Sequence, residues 1–121
     1  MKRTAILLAL LATTFARESA AQAVYTRPHD VLVAAIRTGH AEGVLRGQVA
    51  DKFTQQFKSN GQLLVSADVI QAFPRADCKR LRMVMTKKDV VSRNGPRDLA
   101  LETKLNYCLD GRPPNELEKK Q

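Results

Sequence analysis

Hydrophobic positions along this chain take three spacings, an unbroken run, a helical period and a strand period, and each predicts its own kind of segment. Thr4 to Thr14 (TAILLALLATT) is an unbroken apolar run of 11 residues. Val31 to Ile36 (VLVAAI) reads as one or two buried helical turns, with Asp30 placed to cap free N–H groups. Gln48 to Lys58 is a clearer helix. Val49, Ala50, Phe53 and Phe57 share one side of it, while Lys52, Gln55 and Gln56 flank the other. Ser59-Asn60-Gly61 ends that helix, Asn60 or Gly61 serving as a left-handed C-cap.

The period then falls from 3.6 to 2. Gln62 to Phe73 is rich in branched apolar residues and predicts a strand. Lys79 to Val91 predicts a second, with Leu81, Met83 and Met85 on one face and Arg80, Arg82, Thr86 and Lys88 on the other. Ser92 to Arg97 is the strongest turn signal, through Asn94-Gly95-Pro96. Leu99 to Leu109 predicts a third strand, with Leu99, Leu101, Leu105, Tyr107 and Leu109 alternating against Glu102, Lys104 and Asn106.

Between the two helices lie Gly39, Gly43 and Gly47, four residues apart, with Ala50 extending the series. On a helix these positions share a face and leave a shallow groove where a second helix packs, within the chain or in a homodimer. A continuous bent helix and a helix broken near 39–47 both fit, and a strand fits less well. Each helical glycine costs about 1 kcal/mol in propensity.

The first segment carries an address rather than a fold. Met1-Lys2-Arg3 is basic, the apolar run comes next, and Ala21-Gln22-Ala23 has the small-x-small form of a cleavage site. Residues 1–23 therefore read as a signal peptide removed on export to the periplasm. The run is too short to span a bilayer, which takes about 20 residues. No stable membrane anchor is expected after cleavage. The remaining chain reads as a single domain, 24–110, and a flexible proline-containing tail, 111–121.

An exported domain of this size has a thin core and gains from a covalent staple. Cys78 and Cys108 are the only cysteines, and an even count in an exported chain reads as a disulfide. Closing about 31 residues contributes roughly 3–4 kcal/mol in the chain-entropy model. A metal site with His29 and His40 is the alternative, but neither spacing matches paired zinc ligands. If the cysteines face each other, paired numbers in the last two strands sum to 186. Leu81 then opposes Leu105, Met85 opposes Leu101, and the apolar residues share one face. Arg82 opposes Lys104, which needs relief from Glu102 or solvent. The fold class expected is α+β: an N-terminal helical segment packed on a three-stranded antiparallel sheet with one disulfide.

Composition narrows the function. The chain has 121 residues, 20 Lys plus Arg against 12 Asp plus Glu, and a formal charge of +8. Loss of the leader leaves the domain basic. Arg80, Arg82, Lys88 and Lys104 share one hairpin face, with Lys79, Arg75 and Lys87 close by. Such a face is either solvated or a docking surface for an acidic envelope protein. Nucleic acid is not the partner expected outside the cytoplasm, and aromatic residues for base stacking are few. No G-x-S-x-G, phosphate loop or paired-carboxylate arrangement is present, so neither an enzyme nor a cofactor is expected; His40 reads as a surface or cap residue.

Asp30 to Gly47 (DVLVAAIRTGHAEGVLRG), Cys78-Lys79-Arg80-Leu81 and Leu105 to Gly111 (LNYCLDG) together resemble small exported accessory proteins of bacterial conjugation and type IV secretion gene clusters, of the killing-in-Klebsiella kind. The resemblance implies a periplasmic accessory role in plasmid transfer and carries over no catalytic residues. A non-enzymatic periplasmic binding or accessory protein is thus the leading expectation. The rival is an inhibitor or immunity protein directed at an envelope-active enzyme.

Overall fold

The computed structural model describes residues 22–115; the expected leader through residue 21 and the tail from 116 lie outside them. The first helix, α1 (Pro28–Thr38), starts two residues before Asp30. Proline suits a first helical position because its fixed φ is helical and its missing N–H would be unpaired there anyway. Asp30 consequently lies inside the first turn, where it favours the helix dipole and pairs with Arg27 at 2.8 Å rather than capping. Gly39, at φ 92°, closes α1 in the left-handed conformation and donates its N–H to Ala35 at 2.7 Å.

Past Gly39 the chain turns extended. The architecture is β1 (Val24–Tyr25), α1, β2 (His40–Leu45), α2 (Gln48–Phe57), β3 (Leu63–Ala72), β4 (Cys78–Ser92) and β5 (Gly95–Cys108). The strands form one sheet in the order β1-β2-β3-β4-β5. The β1–β2 pair is parallel and the others are antiparallel. This corrects the expected three-stranded antiparallel sheet: it has five strands and is mixed. The two additional strands come from the lead-in and from the glycine-spaced segment.

The glycine groove is corrected with it. Gly39 caps α1, Gly43 lies inside β2, and Gly47 precedes α2, so no helix face joins them. A four-residue spacing equals two strand periods and cannot distinguish the two states. Helix α2 closes on Lys58 in the left-handed conformation, not on Asn60 or Gly61.

Both helices cover one face of the sheet. Val31, Leu32, Ala35 and Ile36 of α1 pack on Ala41, Leu45, Leu63, Val65, Ala67 and Leu81, with Val49, Ala50 and Phe53 of α2 against the margin. Burial of this apolar surface is the main favourable term in the fold. His29 Nδ1 meets Tyr107 Oη at 2.6 Å and ties α1 to β5. The start of the expected tail is held too: Cys108 N–H donates to Arg112 O at 3.0 Å and Gly111 N–H to Cys108 O at 2.9 Å.

The last hairpin adopts the expected register. Cys78 opposes Cys108, Leu81 opposes Leu105, Arg82 opposes Lys104 and Met85 opposes Leu101. The Cys78–Cys108 disulfide joins β4 to β5 and is buried. Beyond Lys87 a bulge shifts the register, with Asp89 at φ 57°.

Candidate functional site

Among the described residues nothing covers the opposite sheet face, and the strand registers align polar residues across it. His40 of β2 opposes Asp68 of β3, Asp68 opposes Arg82 of β4, and Arg82 opposes Lys104 of β5. The adjacent row runs Glu42, Ser66, Val84 and Glu102. Side chains alternate between faces of a strand, so the even-numbered positions point together.

Short contacts connect the rows. His40 Nδ1 lies 2.5 Å from Asp68 Oδ1, and Nε2 lies 3.5 Å from Glu42 Oε2. Arg82 Nη2 donates to Glu102 Oε2 at 3.1 Å, which supplies the relief that the Arg82–Lys104 juxtaposition requires. Arg80 donates to the Asn106 carboxamide oxygen at 2.9 Å, and Lys88 pairs with Asp98 at 2.5 Å. Three of the four expected cations are thus engaged within the molecule. Lys104 lies in the field of Glu102. Against Arg80, Arg82, Lys88 and Lys104 stand Glu42, Asp68, Asp98 and Glu102. The charges cancel, so the surface is a mixed one whose sign His40 decides.

The titrations reflect these contacts. The bond to Asp68 comes first in raising the His40 pKa above its ordinary value, and the Asp68 and Glu42 charges add to it. Arg82 holds the Glu102 carboxyl low, and Lys88 does the same for Asp98. All these groups are exposed, so each pair contributes little to stability.

A shallow hollow of about 580 Å³ adjoins the charged row; Glu42 and Gly43 of β2, Leu64 and Ser66 of β3, and Val84 and Thr86 of β4 line it, together with Gln22 and Ala23 before β1. Ser66 stands opposite Glu42, in the row beside the His40–Asp68 pair, and Asp68 orients the His40 ring.

Lys87 belongs elsewhere. The sequence sets it beside the basic face, but its odd position turns it inward, where it is 1% exposed. Its ammonium donates to Thr54 Oγ1 at 3.0 Å and Gly61 O at 2.5 Å. His29 and His40 have separate partners, Tyr107 and Asp68. No cluster of three or more metal-ligating side chains occurs among the described residues, and no helix there is long and apolar enough to cross a membrane.

The His40–Asp68 pair is not legible in the sequence because it depends on β2 being a strand. The alternation of His40 and Glu42 against Ala41 and Leu45 is the available signal. No family model, curated protein or solved structure matches the chain.

Proposed function

We propose that the protein is a non-enzymatic binding or accessory protein of the bacterial envelope, acting in conjugative transfer or type IV secretion, and that the open sheet face is its recognition surface. One observation carries this reading: both helices pack on the same side, and among the described residues nothing covers the opposite five-stranded face with its charge pattern and hollow. The pattern is held by neighbouring side chains, so little ordering cost remains for binding. The disulfide is compatible with an oxidising compartment. The leader-like first segment and the resemblance to conjugation accessory proteins support the same address. The balanced charges favour a partner of mixed, complementary charge over a uniformly acidic one.

The test is site-specific photo-crosslinking in the native envelope. A photoreactive residue at Ser66 or Arg82 captures a discrete partner, whereas one at Gln56, on the exposed side of α2, does not. Equal capture from all three positions, or none from the sheet face, overturns the proposal. The identity of the captured protein separates the roles: a secretion-channel component supports the accessory role, and an enzyme inhibited by the contact supports the rival.

A further inference from the structure

Strand β5 closes the sheet on one side and has no neighbour beyond it among the described residues. The hydrogen-bonding pattern shows which of its groups point away from β4. Leu109 N–H donates to Asp77 O at 3.0 Å, so odd residues of this pair exchange bonds. Cys78 and Cys108 then form a non-bonded pair, consistent with their Cα separation of 4.0 Å. Odd residues of β5 accordingly face β4, and the N–H and C=O groups of Ala100, Glu102, Lys104 and Asn106 point away from the sheet. At one end the edge is closed, because Cys108 N–H already donates to Arg112 O. At the other end Pro96 has no N–H to offer. The residues Ala100 to Lys104 are all exposed, and Leu101 leaves 42% of its surface uncovered.

We propose that this edge pairs with the same edge of a second copy, antiparallel about Thr103, giving a homodimer with one continuous sheet. This goes beyond the proposed recognition role and does not depend on it. Bonding groups meet only when even residues oppose even residues. Pairing about Thr103 sets Glu102 opposite Lys104 of the second copy, and Lys104 opposite its Glu102. Moving the register by two sets Glu102 against Glu102, or Lys104 against Lys104, and like charges directly opposed are unfavourable. A lone edge lysine deters pairing in every register; a lysine two residues from a glutamate permits this one. The same register places Leu101 beside Leu105 of the second copy, covering the exposed side chain, and Ala100 opposite Asn106. The contact is isologous, so it closes at two copies.

The test measures mass in solution for the disulfide-bonded protein at micromolar concentration. A dimer is expected. Lys104→Glu, checked for an unchanged melting temperature, raises the dissociation constant about tenfold or more. The exchange Glu102→Lys with Lys104→Glu restores dimerisation, and it sets the new Glu directly opposite Arg82 within each copy. Thr103→Cys gives a second readout should the charge variants fail to fold. Non-bonded antiparallel pairs lie about 4.5 Å apart at Cα, within disulfide reach. Treatment with diamide, which takes up the two electrons and two protons, then yields a covalent dimer. A monomer at all concentrations, a dimer insensitive to Lys104→Glu, a charge exchange that stays monomeric, or no covalent link through Thr103→Cys each overturns the proposal.

Discussion

The carbonyl of Ala23 accepts a hydrogen bond from the N–H of Val44 at 2.8 Å, beside a glycine that leaves it room. A Cβ on Gly43 would stand 2.3 Å from that oxygen and 3.0 Å from the Tyr25 ring. The parallel β1–β2 contact therefore depends on a missing side chain rather than on backbone flexibility. Gly43→Ala is expected to destabilise by about 1–3 kcal/mol, as overpacking does. Hydrogen exchange would show lost protection at Val44 and Arg46, whose N–H groups bond to Ala23 and Tyr25; unchanged protection would refute the account.

The same bond bears on the proposed leader. Cleavage after Ala23 would remove the acceptor used by Val44. A chain beginning at Val24 should be less stable than one beginning at Gln22 by about 0.5–1.5 kcal/mol, the value of one backbone bond. Equal denaturation midpoints for the two chains would count against it.

Lys87 ties β4 to α2 and to the loop before β3 through neutral acceptors. Thr54→Val removes one of them and should cost about 1 kcal/mol. Lys87→Ala also empties a buried volume and should cost more, about 2–4 kcal/mol. Chemical denaturation of both variants checks the order, which a surface role for Lys87 would not produce.

Reducing the Cys78–Cys108 bond releases a loop whose ends are 30 residues apart. The cost should be about 3–4 kcal/mol, seen as a lower melting temperature for Cys78→Ser with Cys108→Ser. Because both cysteines are buried, reduction by a thiol should be slow until the fold opens. Fast reduction of the native protein would contradict that.

His40 provides a pH signature. Its folded pKa is raised above 6.5 by Asp68 and Glu42. Its contribution to stability is thus fully present below about 6.5 and fades as pH rises through the folded value. Protonation also turns the balanced sheet face net positive. Tracking the His40 ring by NMR should show a lower pKa in Asp68→Asn than in the native protein. An identical titration in both would remove Asp68 as the cause.

The sequence alone determined the β4–β5 hairpin, its register from Cys78 to Lys87 and its disulfide, because alternation, an Asn-Gly turn and two cysteines of equal parity impose the same pairing; the bulge beyond Lys87 was not legible. Helix α2 was legible from its 3.6-residue periodicity, and one or two turns of α1 from the apolar run Val31 to Ile36, though not where α1 ends. Tertiary structure decided the rest. The segment 40–45 is too short for its period to separate helix from strand, and its glycine suits either, so pairing with β3 settles it. Strand β1 has two residues and exists only through its bonds to β2. The site depends on these choices: His40 meets Asp68 only once β2 lies beside β3, and Lys87, turned inward by its odd position, finds its acceptors only in α2 and at Gly61. Local pattern sets which side of a strand a residue faces; contacts distant in sequence set what stands opposite it.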